Sequence, residues 1–320
     1  MPGVSVIIPL YNKGPHIARA VNSVLNQTIQ DFEIIIMDGN SDDEGPEIVK
    51  EIRDTRIFFA VQHGIGVSAA RNQAVTMAKS EFVAFLDADD EWTPKHLETL
   101  LRMKEKFPEA GAYSTFYKIC LRNGRIIPAH NRGIPKKPFE GILPNYFRSS
   151  SLGDPPVWTS VVGIPRKIFI ELGGFPEEVW MGEDHALWAK IALQYPIAFS
   201  SIIGAIYHAD TVNRAVDKPF QLKEDAVVKI GNAAIIEGTV PIELLADLKE
   251  YIAYKEILRA RKNIIIYNFS EARRILLNTR TRYHTTEKFF YLLVSFLPVS
   301  IFHYLLSLRK SDIFLKLFMR

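Results

Sequence analysis

Phe82-Val83-Ala84-Phe85-Leu86-Asp87-Ala88-Asp89-Asp90-Glu91-Trp92 runs an unbroken apolar segment straight into a group of carboxylates. An apolar run of strand length is the pattern of a central parallel strand covered on both faces. Asp87, Asp89 and Asp90 fall where such a strand ends, and in open α/β sheets ligands bind outside the carboxyl ends of the strands. Like charges packed this tightly repel and so call for a cation. Oxygen-only ligands suit Mg²⁺ or Mn²⁺, which bridge one or two carboxylates to phosphates. The competing reading is a solvated acidic turn ahead of a helix starting near Thr93-Pro94.

Upstream the same pattern recurs. Val4 to Leu10, Phe32 to Met37 and Ile57 to Val61 read as short apolar strands, each followed by a turn and a helical stretch. Ile17, Ala20, Val21, Val24 and Leu25 recur at helical spacing, a further helix runs through Ile52, and another covers Val67 to Ala78. Repeated βα units specify an α/β fold with a doubly wound, mostly parallel sheet of Rossmann-like type. Asn12, Asp38, His63 and the Asp87 cluster then reach one sheet edge, which argues for a nucleotide-binding crevice. Gly64 and Gly66 precede a helix whose free N–H groups suit phosphate, with Arg71 adding charge. Alternatively they make a plain tight turn and Arg71 lies on a solvated face. They lack the dinucleotide fingerprint, so a Rossmann dehydrogenase is not supported.

Downstream, Pro94 to Phe107 reads as a helix and Ala112 to Ile119 and Arg125 to Pro128 as strands. Ala129 to Pro156, rich in Pro, Gly, Asn and Ser, reads as a mobile loop, either an exposed connection or a lid gripping an acceptor. Val157 to Ile164 reads as a strand and Arg166 to Leu172 as a helix. Glu183 and Asp184 open another helix, where the dipole favours an ionised carboxylate. Such a carboxylate is either an N-cap or a general base in a crevice mouth. Ile197 to Tyr207 is a strand ending at His208, by default a satisfied core or surface residue and a metal ligand only with the aspartates nearby.

The formal net charge of the 320 residues is +3, which argues against a nucleic-acid protein. The single cysteine, Cys120, excludes an intrachain disulfide and points to a reducing compartment. With no His or acid beside it in sequence, it reads as a buried small hydrophobe. No signal peptide precedes Val4, so the expected location is cytoplasmic. Three regions are expected: 1–215 catalytic, 216–284 helical, with Leu244 to Arg261 and Glu271 to Leu277 clearest, and 285–320 amphipathic. Phe289 to Leu308 is long enough to span a bilayer, but Pro298 interrupts it. Ile301, Phe302, Leu305 and Leu306 oppose Ser300, His303, Ser307 and Lys310. Ile313, Phe314, Leu317 and Phe318 continue beside Arg309, Lys310, Lys316 and Arg320. That pattern favours helices lying in the interface of an anionic membrane, over a helix pair packed on the catalytic domain or on a second subunit of a homo-oligomer.

Over about residues 4 to 210 the chain resembles family 2 glycosyltransferases of GT-A fold. The resemblance rests on Ser5 to Asn12, Asp38 to Asp43, Gly66-Val67-Ser68-Ala69-Ala70-Arg71-Asn72, Leu86 to Asp90, Gly173-Gly174-Phe175 and Gly182-Glu183-Asp184. It implies that Pro9, Tyr11 and Asp38 line the pocket for the donor's base, that Arg71 helps hold the nucleotide and that Asp87 contacts the ribose. It further implies Asp89 as metal ligand, His208 as a position that can complete the metal site, and Asp184 as catalytic base of an inverting transfer. Asp38-Gly39-Asn40-Ser41 lacks the second aspartate that many members carry, and with it one base-reading carboxylate, which leaves GDP and dTDP open beside UDP, the expected nucleotide. The Gln-x-x-Arg-Trp motif of processive synthases is absent, implying one sugar per encounter. The expected partners are a nucleotide-sugar donor and a glycan or lipid-linked acceptor at the inner membrane face. The alternatives are a silent nucleotide-sugar-binding or scaffold protein and a nucleotidyltransferase. For the latter the turn Tyr11-Asn12-Lys13-Gly14 is too short.

Overall fold

The computed structural model describes residues 1–211, 214 and 222–307. Its first half is built from β1 (Val4–Leu10), α1 (Gly14–Leu25), β2 (Phe32–Asp38), α2 (Gly45–Glu51), β3 (Ile57–Val61), α3 (Val67–Met77) and β4 (Phe82–Phe85). Every residue of β2 and β4, and all of β1 except Pro9, is buried. Successive strand residues point to opposite faces, so these strands are covered on both, as their continuous apolar runs require. Leu10 pairs with Asp38 and Asp38 with Val61, which brings the carboxyl ends of β1, β2 and β3 level. Ile17, Ala20, Val21 and Val24 form the buried stripe of α1.

The second half adds β5 (Glu91–Trp92), α4 (His96–Lys106), β6 (Ala112–Cys120), β7 (Ile126–Pro128), β8 (Glu140–Ile142), α5 (Tyr146–Leu152), β9 (Val162–Pro165), α6 (Arg166–Glu171), α7 (Glu183–Gln194) and β10 (Ile197–His208). The sheet order is β3-β2-β1-β4-β9-β6-β10-β5, with β7 on β6 and β8 on β10. The longest pairings, β1 with β2 and β6 with β10, are parallel, so the sheet is mostly parallel with antiparallel insertions at β5, β7, β8 and β9. The chain winds from β1 outward to β3, then returns to the other side of β1 as β4. That reversal is the topological switch point at which a ligand crevice opens.

Two expectations need correction. The segment 129–156 is not an open loop throughout, because it holds β8 and α5. Asn145 caps α5 by accepting from Arg148 N at 3.1 Å, and Tyr146, Phe147, Ser149, Ser150 and Ser151 are buried. The strand expected from Val157 begins only at Val162, because Thr159–Val161 forms a 3₁₀ turn that points Ser160 at the acidic stretch.

The chain divides into Met1–Lys218 and Pro219–Arg320. The second unit holds α8 (Ala226–Glu237), α9 (Ile242–Ile265), α10 (Phe269–Asn278), α11 (Thr285–Val294) and α12 (Val299–Ser307). Ile257, Ala260, Ile264, Phe269, Ala272, Ile275, Leu276, Tyr291, Val294 and Phe302 share one core, so the helices on both sides of residue 284 pack together. Glu250 of α9 fastens the intervening turn by accepting from Thr281 Oγ1 at 2.7 Å and Arg282 N at 2.8 Å. Phe302, assigned above to a membrane-facing stripe, is fully buried against Phe269 and Tyr267. Ile301 of the same stripe is exposed, as are Phe289 and Leu293 of α11, Phe296 in the turn after it and Val299 at the start of α12. Among the described residues no helix is long and apolar enough to cross a membrane. The side chains of Leu305 and Leu306, and residues 308–320 with Arg309, Lys310, Ile313, Phe314, Lys316, Leu317, Phe318 and Arg320, lie outside the description, as does the boundary expected at 215.

Candidate active site

The acidic stretch is pinned at both ends. Leu86 N donates to Ile7 O at 3.0 Å, keeping the exit of β4 beside β1, and β5 is received by β10 through Ala205 with Trp92 and Ile206 with Glu91. Between these anchors the three aspartates take different roles. Asp90, 1% exposed, accepts from Ser160 Oγ at 2.5 Å and from His208 N at 2.9 Å. Burial and the charges of Asp89 and Asp87 push its carboxyl well above the usual carboxylate range. It is a fastener between β4, the Ser160 turn and the end of β10. Asp87 and Asp89 remain partly open to solvent.

Arg71 is 4% exposed and joins two carboxylates, Asp87 Oδ1 at 2.6 Å and Glu183 Oε1 at 2.9 Å. Burial opposes its charge, but Asp87 and Glu183 overcome that and hold its pKa above the ordinary value. Its Nε is buried with no hydrogen-bond partner, and the guanidinium lies 5.0 Å from the Phe175 ring centroid. Arg71 is therefore placed as a strut between β4 and α7, with its paired nitrogens spent on carboxylates. The glycine pair ahead of Phe175 has a steric reason. Asn72 exchanges hydrogen bonds with the Phe175 backbone at 2.8 and 2.9 Å, and a Cβ on Gly174 would come within 2.6 Å of Asn72 Oδ1. Gly174 also adopts φ of 63°, the left-handed region that favours glycine. Phe175 packs edge-on against Phe85 at 5.3 Å and Trp188 at 5.8 Å, which fixes α7 to the strand bearing Asp87.

The N-cap of α7 is Gly182, at φ of 85°, so Asp184 lies inside the first turn and is not the cap residue. Its Oδ1 accepts from His185 N at 2.7 Å and its Oδ2 from Thr159 Oγ1 at 3.4 Å. Pro9, Tyr11 and Asp38 stand at the carboxyl ends of β1 and β2. Tyr11 is 53% exposed, whereas Asp38 is buried and accepts from Ser41 Oγ at 2.6 Å, shaping the loop that follows β2. Asn12 locks to that loop through Ser41 Oγ and Asp42 N, at 3.0 and 2.9 Å.

Asp89 Oδ2 receives Lys13 Nζ at 2.6 Å and Thr211 Oγ1 at 2.9 Å. A cation thus already stands on the carboxylate expected to bind a metal, and two part-exposed carboxylates with oxygen donors fit Mg²⁺ or Mn²⁺. His208 stands apart from that carboxylate in its contacts: Nδ1 lies 3.2 Å from Asp210 Oδ1 and Nε2 3.2 Å from Glu91 Oε1. Sequence reasoning missed Ser160 and Lys13, and placed Glu183 at the helix start without its tie to Arg71. Their partners are remote in sequence, and only the spacing of Glu183 to Asp184 hinted at any of them.

Known proteins resemble this chain in sequence and in fold. An uncharacterised glycosyltransferase of Rickettsia conorii is 31% identical over 191 residues, which is 59% of this chain and 30% of that protein. The UDP-Glc:alpha-D-GlcNAc-diphosphoundecaprenol beta-1,3-glucosyltransferase WfaP of Escherichia coli is 36% identical over 115 residues, covering 36% of this chain and 46% of that one. This chain therefore spans less than half the length of either relative. Among solved structures, TarS 1-349 of S. aureus in complex with UDP-GlcNAc has a TM-score of 0.62 at 19% identity, covering 90% of this chain and 79% of that one. The mannosyltransferase PcManGT of Pyrobaculum calidifontis, in complex with GDP-Man and Mn²⁺, has a TM-score of 0.58 at 19% identity, covering 92% and 86%. These two share its fold. The model of the family described as Glycosyl transferase family 2 matches residues 5–172, and the chain belongs to that family.

Proposed function

We propose that the protein is an inverting glycosyltransferase that moves one sugar from a nucleotide-diphosphate sugar to a hydroxyl of a glycan or lipid-linked acceptor. The observation that carries this reading is the meeting of Pro9, Tyr11, Asp38, Asp87 and Asp89 at the switch-point edge, with Asp184 tied to Asp87 through Glu183 and Arg71. Pro9, Tyr11 and Asp38 form the wall for the base. Asp87, held in place by Arg71, accepts from the ribose. Asp184 takes the proton of the acceptor hydroxyl, which attacks the anomeric carbon as the diphosphate leaves from the opposite face. Asp89 would hold a divalent cation, Mn²⁺ or Mg²⁺, which when bound neutralises charge developing on the leaving diphosphate. UDP is the expected nucleotide, in keeping with the UDP-GlcNAc bound to TarS and the UDP-Glc in the name of WfaP. The undecaprenol-linked substrate in that name supports a lipid-linked acceptor in surface glycan assembly.

Calorimetric titration with UDP, GDP and dTDP, with and without Mn²⁺, tests the site. One nucleotide should bind in the presence of Mn²⁺, and Asp89→Ala should weaken it at least about tenfold, the scale of one lost charge-assisted contact. Absence of binding by all three under both conditions would overturn the reading.

Peripheral membrane contact belongs to the same proposal. Leu293 is 70% and Phe296 66% exposed, and each large apolar side chain is worth about 1.5–3 kcal/mol on leaving water. The chain should sediment with anionic vesicles, and Leu293→Glu with Phe296→Glu should release it while nucleotide binding persists. Truncation near residue 285 is the wrong test, because it removes Phe302 and Tyr291 from the core of the second unit. If the wild-type chain stays in the supernatant, this part of the proposal falls.

A further inference from the structure

Cys120 closes β6 and His208 closes β10, and the parallel register sets them directly opposite each other. Paired residues of parallel strands project to the same face, and the next turn adds Asp210. Cys120 Sγ, a ring nitrogen of His208 and a carboxylate oxygen of Asp210 all lie within 4.8 Å of one another. That spacing suits a tetrahedral ion with bonds of about 2.0–2.3 Å to nitrogen, oxygen and sulfur. Cys120 and His208 are buried, while Asp210 is 36% exposed, leaving a solvent-facing side for a fourth ligand.

The second nitrogen of His208 adds an independent observation. Nε2 lies 3.2 Å from Glu91 Oε1, and metal-bound histidines commonly donate their other N–H to a carboxylate, which fixes the tautomer. With the proton on Nε2, Nδ1 presents a lone pair to Asp210 Oδ1 at 3.2 Å, an acceptor facing an acceptor that needs a cation between them. The competing arrangement is an imidazolium held between Glu91 and Asp210. Cys120 Sγ, which also lies 3.9 Å from Leu121 O, reaches the same point and supplies the sulfur ligand that a thiophilic metal requires.

We propose that Cys120, His208 and Asp210 form a binding site for a thiophilic divalent cation of the Zn²⁺ type, separate in its ligands from the oxygen site at Asp89. On binding, the thiol proton passes to solvent and the sulfur–metal bond forms from the thiolate. The thiolate selects Zn²⁺ or Co²⁺ over Mg²⁺ and Mn²⁺. The site also has a line to the proposed catalytic edge. Thr211, the residue after Asp210, donates to Asp89 Oδ2 and lies 3.2 Å from His208 O, so an ion gripping His208 and Asp210 steadies the turn that supports Asp89.

Cobalt spectroscopy on the full chain tests the site without any activity readout. After metal removal, Co²⁺ should give a thiolate-to-cobalt absorption band and tetrahedral d–d bands saturating at one equivalent. Zn²⁺ should bleach them and Mg²⁺ should not. Cys120→Ser should remove the charge-transfer band, and Glu91→Gln should weaken cobalt binding about 10- to 100-fold through its hold on His208. Asp89→Ala should leave the band in place, which separates this site from the donor site. Absence of a charge-transfer band in the wild-type chain, or its persistence in Cys120→Ser, would overturn the proposal and leave the imidazolium arrangement.

Discussion

Arg71→Met is expected to destabilise the first unit by about 3 kcal/mol and to abolish nucleotide binding together with it. Removing one partner from a buried ion pair typically costs about 3–5 kcal/mol, because the charge left behind is uncompensated. Here two carboxylates lose the same partner, and Glu183 and Asp87 keep 11% and 25% side-chain exposure. That exposure lets water screen part of the loss, which sets the expectation at the low end. Glu183 also has a route of escape: burial and the Asp184 charge already push its carboxyl upward, so it can take up a proton once Arg71 is gone. Glu183→Gln in the Arg71→Met background should therefore restore part of the stability, a non-additive pair measurable by chemical denaturation. Fully additive losses, or an Arg71→Met loss below about 1 kcal/mol, would remove the strut role.

The parallel half of the fold was legible because its signals are local. β2 and β4 are buried along their whole length, so each shows as an unbroken apolar run whatever its neighbours are. The same holds for the stripe of α1. Helix α5 was illegible for the opposite reason. Ser149, Ser150 and Ser151 are buried, and two of these hydroxyls are satisfied by backbone carbonyls, Ser149 Oγ by Gly133 O at 3.1 Å and Ser151 Oγ by Arg148 O at 2.9 Å. A sequence of serines gives no apolar period to read. The acidic stretch was found as a group, but its division of labour was not, since Asp90 is set apart by Ser160 and His208, far away in the chain. Cys120 shows the same limit. Its sequence neighbours contain neither His nor acid, and its partner appears only when β6 and β10 pair.

Asp184→Asn should leave the nucleotide in place and cut turnover by on the order of a hundredfold or more, the scale of a lost general base. Asparagine keeps the shape of the side chain and an oxygen to accept from His185 N, now 2.7 Å from Oδ1, so the first turn of α7 should form as before. What it cannot do is take a proton. The cap of the helix rests on Gly182 and the strut to Asp87 runs through the Glu183 carboxylate, so Asp184 makes neither contact itself. The division between the two acids gives the control. Glu183→Gln should weaken nucleotide binding and lower the melting temperature through Arg71, whereas Asp184→Asn should change neither while removing transfer. The discriminating measurement is kcat beside nucleotide affinity in both variants. If Asp184→Asn transfers sugar at the wild-type rate, the base is another group. If it loses nucleotide binding as well, Asp184 belongs with Arg71 and Glu183 in holding the site together, and not with the acceptor.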